Sequence, residues 1–283
     1  MKKRTTSTDV TNVLTEHFLF RRFELLALNQ YKWTGLPETI EERHIERVLF
    51  NDGKVLFFED PELGLLCLPC GATSHVNVYG DPLSYNVHGF GYNKRVTLDD
   101  AVLIENNKLR LPTRSIVLYF VGELYEALCT RRVNLKTLKA PFLANGNSDT
   151  ILTLKKTLED IDNNVWAIFA DKSFNLEDAI KVFPTGVKCM TTELTDLYHD
   201  ILNEALTYLG INNANTDKRE RLIVSEADSN NQFIDSCGEM FLEARQRAAD
   251  AINAKWGLNI KVEPRVSRDD PLQIPQKGDP INV

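Results

Sequence analysis

Apolar residues at positions 10, 13, 14, 18, 25 and 28 recur at helical spacing, and Thr8 or Asp9 can cap the start. They predict a helix over residues 10–31, ended by Trp33, Gly35 and Pro37. From about residue 53 to 105 the period changes. KVLFFED, GLLCLPC, HVNVYG, SYNVHGFGYN, RVTL and AVLIE are short β-like runs parted by Gly, Pro, Asn and Asp, which predicts a small barrel or sandwich. Pro112 and Thr113 then open a long helix with the stripe Ile116, Val117, Phe120, Val121, Leu124, Tyr125 and Leu128. Leu118 and Tyr119 widen that stripe, so more than one side of this helix seeks apolar cover. It runs toward Leu138, and Pro141 stops it.

Residues 140–190 read as a compact insert. A short helix starts at Asp149 or Thr150 and runs to Ile161, and WAIFA (166–170) and AIKVF (179–183) read as strands. A second long helix begins near Thr191 or Thr192, with apolar positions 194, 197, 198, 201, 202, 205, 206 and 209, and Gly210 closes it. A third covers 233–256, with Met240, Phe241, Ala244, Ala248 and Ile252 on its inner stripe. Gly257 ends it, LNIKV forms a strand, and the tail from Glu263 reads as extended or disordered. The fold class is α+β.

Between the second and third helices lies NNANTDKRERLIVSEADSNNQ, with no proline or interior glycine. Loops beyond about 12–15 residues are uncommon in compact domains and are usually functional or disordered. Asp217, Lys218, Arg219, Glu220 and Arg221 are consecutive charges. In an isolated subunit they form a solvated, self-compensating cluster. In a symmetric ring every copy would present the same pair, Lys218 and Arg219, and weak contacts would become a belt of positive charge.

Composition narrows the function. The net charge of −7 disfavours a protein whose whole surface grips nucleic acid, though not one with a local basic feature. The start, MKKRTTSTDV, lacks an apolar signal core, and no run approaches the length of a membrane span, so an intracellular, soluble chain with no membrane partner is expected. Cys67 and Cys70 form a lone CLPC without two further zinc ligands and read as buried thiols in a strand pair. No P-loop, GxSxG or HExxH occurs, and Gly89-Phe90-Gly91 reads as a turn. His17, His44, His75, His88 and His199 are scattered. Asp228, Asn230 and Glu239 fit an EF-hand spacing, but Phe233 stands where the loop needs glycine. No catalytic residue, metal or cofactor is expected. Two other classes stay open: a metal-dependent nuclease using Glu226, Asp228 and Asp235, and a monomeric DNA-binding adaptor.

The run YLGINNAN (208–215), the basic pair with ERL (218–222), the Cys237–Gly238 step and WGLNIKV (256–262) resemble the connector proteins of short-tailed, protein-primed bacteriophages, also called portal or upper collar proteins. GLPETI (35–40), FFEDP (57–61), LPT (111–113) and WAIFA add support, and the order of elements agrees over about residues 10–265. The resemblance implies a portal fold with residues 1–110 as a β-rich, barrel-like wing, 111–138 as the first stem helix and 139–190 as the clip. It makes 191–210 the second stem helix, 211–265 a channel loop plus wing helix, and 266–283 an extended tail. It also implies a dodecameric ring in the virion, assembled in the host cytoplasm. That ring would pass viral double-stranded DNA and meet capsid protein, a packaging ATPase and lower collar or tail proteins. The channel loop would carry Asn215, Lys218, Arg219, Arg221, Ser229, Asn230 and Asn231. Where family members can carry channel-facing stem lysines, Pro184 and Glu193 stand here with Lys188 nearby. The short arm Lys2, Lys3 and Arg4 is a candidate nucleic-acid contact, and its brevity leaves a packaging RNA in doubt.

Overall fold

The computed structural model describes residues 7–138, 142–144, 180–182, 188–212 and 224–265. The chain forms two compact units, one of residues 1–125 with 200–283 and one of residues 126–199. Both division points fall inside long helices.

The larger unit begins with α1 (Ser7–Leu28) and β1 (Tyr31–Thr34), followed by α2 (Glu42–Asp52). Next come β2 (Lys54–Asp60), β3 (Gly64–Ala72), β4 (Ser84–Gly89), β5 (Tyr92–Thr97) and β6 (Ala101–Glu105). These five strands make one antiparallel sheet in the order β5-β4-β3-β2-β6. β3 is shared along its length, since residues 64–69 pair with β2 and residues 70–72 with β4. Both faces of β2 are covered, which explains its unbroken apolar run. Val55 and Phe57 join Cys67, Ile104 and the α2 residues Ile45, Val48 and Leu49 in one core. Leu56 and Phe58 join Cys70, Tyr85, Val87 and Val96 in another. Burying each large apolar side chain contributes about 1.5–3 kcal/mol, so β2 anchors the unit.

Several expectations change here. β5 and β6 end the sheet without pairing to each other, so the β-rich region is an open sheet and not a closed barrel. HVNVYG is a turn: Asn77 Oδ1 accepts the N–H groups of Tyr79 and Asp81, each at 2.9 Å, and only a bridge joins Val76 to Pro82. α1 ends at Leu28, because Tyr31 opens a strand. The strand expected in LNIKV is β9 (Lys261–Pro264), and it pairs antiparallel with β1, Trp33 opposite Val262. α2 follows from the stripe Ile45, Val48 and Leu49, which the period-two reading of its neighbours obscured.

Three longer helices complete the chain: α3 (Thr113–Leu138), α4 (Thr191–Tyr208) and α5 (Val224–Trp256). Within the larger unit α3 buries Val117, Phe120, Val121 and Leu124 and exposes Leu118 and Tyr119. α5 starts at Val224 and not at Phe233. Its first turns are polar but free of glycine and proline, so an onset judged from apolar residues comes too late.

In the smaller unit, Asn134 is buried and joins α3 to the entry of α4. Its Nδ2 donates to the Lys188 carbonyl at 3.0 Å, and its Oδ1 accepts the Met190 N–H at 3.1 Å. β7 (Phe142–Ala144) pairs antiparallel with β8 (Ile180–Val182). β8 lies within the strand expected at 179–183; the helix expected at 149–161 and the strand at 166–170 lie outside the described residues.

Candidate functional site

The charged segment is framed by two built flanks. On the entering side, α4 closes with the N–H of Gly210 donating to Thr207 O at 2.9 Å and that of Ile211 to Leu206 O at 2.9 Å. Gly210 has φ +71 and lies directly on α5: a Cβ there would stand 2.3 Å from Gly238 Cα. Gly210 is therefore required for the contact, since a side chain there would lift the turn off α5. The amide of Gln30 donates to Leu209 O, and Tyr31 Oη donates to Gly238 O at 2.9 Å. The Tyr208 ring packs between Phe120 and Phe241, with centroids 6.4 and 6.2 Å away. On the leaving side stand the first turns of α5.

Beneath this junction lies a buried polar network. Arg245 Nε donates to Glu46 Oε1 at 2.8 Å and Nη2 to Glu46 Oε2 at 2.7 Å, a bidentate pair with side chains only 4% and 2% exposed. Trp33 Nε1 donates to Glu46 Oε1 at 2.8 Å, and Arg245 Nη2 to Asn106 Oδ1 at 3.2 Å. Asn106 Nδ2 donates in turn to Thr113 Oγ1 at 2.9 Å at the start of α3. The guanidinium also stacks on Tyr31, 4.6 Å from the ring centroid. Burial works against its charge, but the Glu46 carboxylate outweighs that and holds Arg245 above its usual range. One network thus ties α2, the entry of α3 and α5 together two turns from Gly238.

The sequence-predicted residues fall in different places. Asn215, Lys218, Arg219 and Arg221 lie outside the described residues, as do Lys2, Lys3 and Arg4. Ser229, Asn230 and Asn231 were expected in a loop, but they lie in α5, with Asn231 exposed. The long loop therefore loses its second half to helix. Lys188 is exposed and held through its backbone by Asn134.

The alternative chemistries lose ground. Glu226, Asp228 and Asp235 lie along the continuous helix α5 and not in a loop. The EF-hand spacing runs along that same continuous helix and cannot wrap a cation. Cys67 and Cys70 are free, buried thiols in opposite cores of the sheet. Burial pushes the Cys67 thiol far up and that of Cys70 to about 12. Among the described residues no group of three His, Cys, Asp or Glu converges. Gly89-Phe90-Gly91 is a hairpin turn, Gly89 opposite Tyr92.

The model of the Phage Connector (GP10) family matches residues 4–268, nearly the whole chain. The chain belongs to that family: it is a head–tail connector, a structural component of a bacteriophage particle. It is similar to a chain in the portal and tail of native bacteriophage P68, at 18% identity and TM-score 0.48, covering 95% of this chain and 94% of that one. It is also similar to an HK97 family phage portal protein from Corynebacterium diphtheriae, at 10% identity and TM-score 0.48, covering 92% and 95%. A third likeness is to a chain of a native gene transfer agent virion, at 12% identity and TM-score 0.45, covering 88% and 80%.

Proposed function

We propose that twelve copies of this chain close into a ring at one capsid vertex, around a channel through which double-stranded DNA enters and leaves. The observation that carries the ring is the apolar surface left on single helices. Leu14, Phe18 and Leu25 are exposed on α1 and fall within about 40° of one another around it. Leu118 and Tyr119 on α3 and Phe233 and Met240 on α5 are exposed as well. Grouped apolar exposure of this kind marks surfaces that meet other proteins. In this reading α3 and α4 form the stem, residues 139–190 the clip, and the sheet with α1, α2 and the later part of α5 the wing.

The segment 213–223, with Asn215, Lys218, Arg219 and Arg221, is the element aimed at the channel axis. Ser229, Asn230 and Asn231 continue it as the polar first turns of α5. Lys188 lines the channel near the clip, and Lys2, Lys3 and Arg4 meet nucleic acid at the arm. The ring does no chemistry. A separate packaging ATPase moves the DNA, the wing meets capsid protein, and the clip later meets lower collar and tail proteins. Assembly takes place in the host cytoplasm, before the ring is built into the virion. The mixed charge of 217–221 suits contact with DNA that must still slide. Native mass measurement with negative-stain imaging tests the ring: closed rings with an axial hole are expected, and a monomer at assembly concentrations overturns it.

A further inference from the structure

Between β3 and β4 the chain runs on past the sheet as a narrow arm. The Thr73 N–H donates to Ser84 O at 3.2 Å, the Leu83 N–H donates to His75 O at 2.9 Å, and Val76 bridges to Pro82. At its tip the Asn77 N–H donates to Asp81 O at 2.8 Å and the Gly80 N–H to Asn77 O at 3.0 Å, beside the two bonds that Asn77 Oδ1 accepts. Arg110 braces the arm from the side: its Nη2 lies 3.3 Å from Asp81 Oδ1, while its Nε donates to Glu105 Oε1 at 2.6 Å. The brace keeps a strained backbone, since Arg110 holds φ +58 with a side chain in place. What this arm carries outward is apolar. Val78 is 94% exposed and Tyr79 87%, with Val76 exposed beside them. Apolar groups presented together on a fixed turn mark a surface that meets protein.

The first half of β3 flanks a hollow of the opposite shape. It is a cleft of about 390 Å³ lined by Thr39, Arg43, His44, Arg47, Leu66 and Leu68, among others. Leu66 and Leu68 are half-buried and give it apolar wall. Glu38 and Glu41 also border it, and Glu41 faces Arg43 at 3.8 Å. Arg47 is exposed and has no ion pair among the described residues, so the cleft keeps one cation to offer.

We propose that the arm tip of one copy, Val78 with Tyr79, enters this cleft on the next copy, with Asp81 set against Arg47. The contact presupposes the ring proposed above and names one of its seams. Tip and cleft cannot meet within one chain. From Leu68 to Val78 a strand and its paired extension span up to roughly 30 Å at about 3.3 Å per residue, and the arm points away from the cleft. The tip and the cleft are different surfaces, so the same contact can repeat from copy to copy around a closed ring. Shape and charge match: a tyrosine and a valine meet Leu66 and Leu68, and the Asp81 side chain stays 54% exposed despite Arg110. An aromatic residue seated in a pocket, with a charge pair at its rim, is the usual anchor of a protein interface.

Crosslinking in assembled rings tests this. An aromatic photo-crosslinking residue replaces Tyr79 in the full chain, and rings are formed from equal parts of light and heavy subunits. Links should fall on residues 38–47 or 66–68, with light–heavy products among them. Products that are only wholly light or wholly heavy, or links to other surfaces of rings that do form, overturn this contact and leave the ring standing. A chain that stays monomeric at assembly concentrations overturns the ring as well. Tyr79→Ala should melt as the parent does, because the side chain is exposed, yet weaken subunit association about tenfold or more. Association equal to the parent's overturns the proposal.

Discussion

The sheet with α2 and the buried half of α5 covers its own apolar core, whereas α1 and the early part of α5 do not. In the first region every large side chain of the inner faces finds cover within the chain, and even a carboxylate and a guanidinium are enclosed as a bidentate pair. In the second, Phe18 is 68% exposed and Phe233 62%, although both lie on helices that elsewhere bury Leu19, Phe23 and Ile234. The closed region needs only this chain. In the proposed ring, the open region is the surface that a neighbouring subunit would cover.

The sharpest way to break the comparison is to open the closed region. Glu46→Ala leaves the Arg245 guanidinium buried without its carboxylate and takes an acceptor from Trp33. Removing one partner of a buried pair costs about 3–5 kcal/mol, and chemical denaturation should show a loss of that size. Replacing both, Glu46→Leu with Arg245→Met, should lose less than Glu46→Ala alone, since no unpaired charge remains. A Glu46→Ala chain as stable as the parent would mean that water reaches the pair.

How legible these regions were differs for the same reason. The apolar stripes of α3 and α4 were plain, because apolar residues at helical spacing need no context. α2 was missed ahead of the strand-like runs, and so was β1, since a four-residue strand has meaning only beside β9. The start of α5 was misplaced because polar residues without glycine or proline fit a loop and a helix equally well. At the candidate site, the sequence displayed Lys218 and Arg219 and marked Gly210 as a helix end. It could not reveal that Gly210 lies on Gly238, a contact between positions 28 apart. Glu46 within the stripe of Ile45, Val48 and Leu49, and Arg245 beside Ala244 and Ala248, were the available hints of the buried pair: charged residues on apolar faces.

The next test closes the open region to its neighbours. Phe18→Asp should leave the isolated subunit as stable as the parent, because the side chain is exposed, yet remove about 2 kcal/mol or more at each contact if Phe18 anchors an interface. Analytical ultracentrifugation should then show subunits where the parent gives rings. Unchanged rings would remove α1 from the interface. A smaller effect is expected in the channel. Lys218→Ala with Arg219→Ala should keep rings intact, weaken retention of packaged DNA, and reduce the salt dependence of DNA binding by about two units of slope per contacting subunit. Normal retention of full-length DNA would take this segment out of the mechanism.

The smallest effect concerns the end of the sheet, which belongs to the closed region but sits at its surface. Asp60 Oδ2 accepts from Lys94 Nζ at 2.8 Å and from Tyr92 Oη at 2.7 Å, while Oδ1 accepts the N–H groups of Glu62 and Leu63. Lys94 first, then Tyr92 and the backbone N–H groups, hold its carboxyl well below the usual carboxylate range. A depressed folded-state value means the stabilisation is complete above the unfolded value of about 4 and fades as pH falls through the folded one. Asp60→Asn should therefore lower the melting temperature at pH 7, and the gap from the parent should narrow steadily below about pH 4. A gap that stays constant down to pH 2 would mean that Asp60 acts through shape and not charge, and that this end of the sheet is held by packing alone.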